Sequence, residues 1–177
     1  MTITRFSRLL LALLFAASLL MFAGCWGSKY TLINPDQAKV DRTYLGNWNV
    51  VNSKGESSSL IIRNIDDKTF YVEGKDGAKQ YPEGISRYVG FLAPVKGAVF
   101  AHLKQLQDDG NVQEDWLAMK LELTGDKLII RQLKDEYMKG KSITSAEQLR
   151  KVLEENLEDS AMYDKEEVLT ATRLAAN

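Results

Sequence analysis

One cysteine and one histidine occur among 177 residues, and that scarcity removes most metal and nucleophile chemistry. Structural and catalytic zinc sites draw mainly on three or four Cys and His ligands. A Ser–His–Asp triad would have to use His102, and no nucleophile motif surrounds any serine. Cys25 alone cannot form an intrachain disulfide, so stability must come from packing. Glycine-rich loops that cradle phosphate are missing as well. Charge is nearly balanced at −1, with no strongly basic segment to suit nucleic acid. The sequence therefore predicts a protein that is not an enzyme and needs no cofactor or metal. His102 leaves a hydrolase as the one enzymatic alternative.

What the chain does have is an N-terminal export pattern. Arg5 and Arg8 give a positive start, and no acidic residue precedes Asp36. Leu9 to Phe22 form an apolar stretch of 14 residues, the size of a signal-peptide core. A transmembrane helix needs roughly 20. Ala23 and Gly24 are the small residues a peptidase cleft accepts before a cleavage site, and Cys25 follows. Residues Met21-Phe22-Ala23-Gly24-Cys25 resemble the lipobox of bacterial lipoproteins, with Phe22 standing where that family usually carries Leu. The resemblance implies cleavage after Gly24, a diacylglycerol thioether on Cys25 and acylation of the new amino terminus. Three acyl chains would make the membrane anchor stable, since a single chain binds only marginally. Trp26 stands where Asp resembles an inner-membrane retention signal. The expected location is therefore the periplasmic side of an outer membrane, or the outer face of the cell membrane if the source has only one.

Without residues 1–24 the chain keeps 153 residues, with 21 Lys+Arg against 24 Asp+Glu and a net charge of −3. That length suits one domain with one core. Residues 25–43 hold Gly27, Pro35 and mixed polar side chains without a sustained period, and read as a lipidated Cys25 followed by a tether. Extended, such a tether would reach about 60 Å. Residues 44–177 read as a single β-rich domain.

From Tyr44 onward, short β-like runs are separated by turn signals every ~10 to 16 residues. These are Lys54-Gly55, Asp66-Asp67, Asp76-Gly77, Lys96-Gly97, Asp109-Gly110-Asn111 and Gly125-Asp126. The spacing predicts an antiparallel meander or partly open barrel of about six to eight strands. Leu117, Met119, Leu121 and Leu123 alternate with Ala118, Lys120 and Glu122, so one face of that strand is expected to be buried. Phe70 and Val72 alternate in the same way. Val99, Ala101 and Leu103 are expected to face inward, with His102 on the other side. Thr144-Ser145-Ala146-Glu147 reads as a capping box ahead of an amphipathic helix through Leu149, Val152, Leu153 and Leu157, packed on the sheet. Residues 164–174 fit a closing strand slightly better than a helix, because Val168, Thr170 and Thr172 alternate.

Two weaker patterns point toward function. Asp108-Asp109-Gly110-Asn111 lacks the rest of a Ca²⁺ loop and reads as a solvated turn. Tyr44-Leu45-Gly46-Asn47-Trp48 opens the domain with Gly-x-Trp, and Thr172-Arg173-Leu174 ends it. This resembles the lipocalin pattern, in which a first-strand Trp closes one end of the barrel against a last-strand Arg. It implies a Trp48–Arg173 pair and a small apolar ligand lined by Trp48, Phe70, Phe91, Phe100, Met119 and Leu121. Over residues 44–174 the chain also resembles uncharacterised small bacterial lipoproteins, which share a Leu-Gly-x-Trp start, a meander and a late Ser/Thr-Ala-Glu-x-Leu helix. The expectation is a lipid-anchored envelope protein serving as a structural or interaction module, whose partner is the membrane and another envelope protein. Ligand binding is the alternative.

Overall fold

A computed structural model describes residues 26–80 and 83–175; the lipobox with Gly24 and Cys25 lies outside them. Among the described residues nine strands form one antiparallel sheet: β1 (Gly27–Ser28), β2 (Gly46–Val51), β3 (Ser57–Asn64), β4 (Phe70–Asp76), β5 (Ile85–Val95), β6 (Ala98–Leu106), β7 (Trp116–Thr124), β8 (Lys127–Leu133) and β9 (Tyr163–Arg173). Strands β2 to β9 each pair with the next, and β9 returns to β2, closing a barrel. Strand β1 is an addition on the β7 edge, pairing Gly27 with Leu117 and Ser28 with Trp116. The turn signals read from the sequence fall at the strand connections, so each Gly- or Asp-bearing pair marks a chain reversal.

Closure divides every strand into an inward and an outward face. One apolar cluster receives side chains from all eight barrel strands, among them Trp48, Ile62, Phe70, Tyr88, Leu103, Met119, Leu128 and Ala171, and is therefore the interior. A second cluster takes barrel residues only from β5 to β9 and lies on their outer face. Strands β5 and β6 approach closely at Gly90, where an added Cβ would stand 2.0 Å from the His102 carbonyl oxygen.

The outer cluster is covered by two segments. One is the long β8–β9 connection, carrying α1 (Asp135–Lys139) and α2 (Ala146–Glu155). Leu149 and Leu153 of α2 are fully buried in this cluster, and α2 packs against β5. The other is the stretch read from the sequence as a tether. Residues 26–38 do not extend from the domain. Trp26, Leu32 and Ala38 are buried against the outer wall, because Phe91, Ala93, Phe100 and Ala118 present an apolar surface there that water would otherwise meet.

The helix cap differs from its expected form by one residue. Ser145 is the N-cap and accepts from the Gln148 N–H, while Gln148 Oε1 accepts from Thr144 N and Oγ1. Ser145 thus caps the backbone of Gln148, the N3 position, and the Gln148 side chain reaches back to Thr144, in place of an exchange between Thr144 and Glu147. Residues 163–173 form strand β9 with Leu169 and Ala171 in the interior cluster, so Val168, Thr170 and Thr172 face outward.

Candidate functional site

One end of the barrel is plugged. The chain enters β2 through a 3₁₀ turn at Arg42–Tyr44, whose Tyr44 joins the interior cluster. Trp48 is fully buried, and its indole Nε1 donates to the Tyr44 carbonyl at 3.2 Å. Arg173 pairs across from Trp48 in the β2–β9 register, with its guanidinium 4.1 Å from the indole centroid. The same guanidinium donates to the Leu45 and Thr43 carbonyls and lies 3.6 Å from the Asp126 carboxylate. Gly46 makes this possible, since a Cβ there would meet Arg173 Nη1 at 2.9 Å. Outside the plug is an open depression of about 570 Å³ lined by Arg42, Thr43, Leu123, Gly125, Asp126 and Arg173.

Toward the opposite end the interior changes character. Val72, Tyr88, Leu103, Leu117 and Met119 keep 7–9 % exposure, whereas Trp48, Leu128 and Ala171 near the plug keep none. Leu60 and Leu169, also part of the interior cluster, are only half-buried. Beyond them the inward positions become small or polar: Gly74 opposite Ser86, Gln105 opposite Tyr88, and Gln132 opposite Met119. Two residues beyond Leu169, Glu167 takes the inward position, and its carboxyl is held above the usual range by burial and then by Asp164. The barrel is therefore apolar within, aromatic and sealed at one end, and polar at the other. An amphiphilic molecule would find complementary surface in that gradient.

The residues proposed from sequence as a ligand lining separate into two groups. Trp48, Phe70, Met119 and Leu121 belong to the interior cluster. Phe91 and Phe100 belong to the outer one. Phe100 alternates with Val99 and Ala101, so placing those two inward turns Phe100 out. Phe91 stacks on His102 at 5.3 Å and meets Trp116 edge-on at 5.1 Å, both on the outer wall. Tyr88, Gln132 and Glu167 face the lumen without having been singled out, while Leu103 faces it as its alternation with His102 predicts. Strand pairing with an assigned inward residue is the signal that finds them. His102, the hydrolase candidate, is fully buried among aromatic rings, and its Nε2 accepts the Leu32 N–H at 3.4 Å. Comparisons with protein-family models, with curated proteins and with solved structures return no match.

Proposed function

We propose that this protein is a lipid-anchored envelope protein whose barrel holds a small apolar or amphiphilic ligand without transforming it. The observation that supports this reading best is the gradient inside the barrel: from the Trp48–Arg173 plug the inward side chains pass through apolar Val72, Leu103 and Leu117, which keep 7–8 % exposure, to polar Gln105 and Gln132. A barrel of eight strands is just wide enough either to be filled by its own side chains or to hold one small ligand. The anchor rests on the Cys25 signal, and the outer-membrane location on Trp26 following it.

Native mass spectrometry of protein extracted from envelopes tests the ligand. A stoichiometric small-molecule adduct, lost when Met119→Trp fills the lumen, is the expected result. No adduct, together with no uptake of a fluorescent fatty acid, would reject ligand binding. A purely structural or interaction module is favoured instead by the complete burial of Trp48, Leu128 and Ala171, and it predicts that second outcome. The anchor has its own check: radiolabelled palmitate should mark the wild type and spare Cys25→Ala.

A further inference from the structure

We propose that the barrel end bearing the β6–β7 loop rests on the surface of a zwitterionic bilayer, so that the lumen opens toward lipid and takes an amphiphile from it. This rests on the lipidation of Cys25 and adds to it an orientation and a source for the ligand.

An up-and-down meander puts alternate turns at opposite ends. The β3–β4, β5–β6 and β7–β8 turns share the end closed by Arg173, and the β2–β3 and β6–β7 turns share the other. The chain enters the described structure at that other end. Trp26 shares the outer cluster with Leu133 at the end of β8, while Gly27 pairs with Leu117 and Ser28 with Trp116 at the start of β7. From there the segment runs along the outer wall toward the plug. Leu32 N–H reaches His102, and Val40 N–H donates to the Asp67 carbonyl in the β3–β4 turn at 2.8 Å.

The distance between anchor and fold is therefore one peptide unit. Cys25 precedes Trp26 directly, and adjacent Cα atoms stand about 3.8 Å apart. Trp26 is held by burial and β1 by pairing, so no slack remains for the barrel to stand away from the acyl chains. The end nearest the bilayer is the one with half-buried Leu169, Ser86 and Gln105 facing inward. Its β6–β7 loop carries Asp108, Asp109, Glu114 and Asp115 and no Lys or Arg, with Val112 exposed between them. Anionic headgroups would be repelled by that loop, whereas zwitterionic ones would not.

Full-length lipidated protein in phosphatidylcholine–phosphatidylethanolamine vesicles tests the orientation. With Cys25 acylated, an introduced cysteine is the sole free thiol. A fluorophore on Asn111→Cys should be quenched several-fold more by a nitroxide-headgroup lipid than one on Lys68→Cys in the β3–β4 turn. Equal or reversed quenching overturns the orientation. Inserting a linker of about ten Gly/Ser residues between Cys25 and Trp26 should abolish the difference while the protein still floats with vesicles. A difference that survives would trace the orientation to something other than the anchor, and overturn the proposal. Failure of the wild type to float would instead reject the anchoring itself, which separates the two failures.

Discussion

His102 shows how a single buried side chain can tie stability to pH. Its ring packs on Phe91 and Trp116, and its Nε2 accepts from the Leu32 backbone. The remaining nitrogen, Nδ1, is buried with no hydrogen-bond partner among the described residues. A charged imidazolium would have to be desolvated there and would lose the bond from Leu32, so burial pushes its pKa down to about 4. The unfolded chain binds that proton near pH 6.5, and the folded chain does not until pH approaches about 4. His102 therefore subtracts stability as pH falls through this window, by about 3 kcal/mol in total, with no further loss below it. Urea midpoints measured between about pH 7 and pH 4.5 should fall in the wild type and fall less in His102→Leu. Equal slopes in the two proteins would show that other groups carry the dependence.

At the scale of elements, what was legible in the sequence depended on whether one face of a strand was polar. In β7 the charged side chains of Lys120 and Glu122 mark one face as the outer one. Leu117, Met119, Leu121 and Leu123 could therefore be assigned inward, and the structure keeps them there. In β5, Phe91-Leu92-Ala93 offers no such contrast, and in β6 neither does Phe100-Ala101. Both faces of those strands are buried, one by the lumen and one by α2 and residues 26–38, so periodicity could not say which side Phe91 and Phe100 would take. The same cause hid the fate of residues 26–38: the surface that holds them is made by strands distant in sequence. Local signals fared better at α2, where Ser145 caps the helix. Ser145→Ala removes the acceptor for the Gln148 N–H and should cost about 1 kcal/mol. Thermal unfolding of this variant checks the figure. An unchanged midpoint would mean that Leu149 and Leu153 alone hold the helix in place.

For the molecule as a whole, the decisive contact is the one that shuts the barrel. Seven of the strand pairings around it join neighbours in sequence, and all of these but β8–β9 need only short connections, while β2–β9 joins the two ends of the meander. The Arg173 bond to the Leu45 carbonyl spans 128 residues. Closing so long a loop costs entropy before the plug around Trp48 returns any of it, which places closure late in folding. Refolding should accordingly take milliseconds to seconds, as in other β topologies dominated by non-local pairing. Trp48 can report this step once Trp26→Phe and Trp116→Phe leave it as the sole indole among the three tryptophans. In that background, Arg173→Lys keeps the charge but loses the planar fork that holds two carbonyls and covers the indole. If the plug forms after the rate-limiting barrier, this change should speed unfolding and leave the folding limb of the chevron almost untouched. A folding rate slowed in proportion to the lost stability would place the Trp48–Arg173 contact inside the nucleus, and the barrel would then fold from its seam outward.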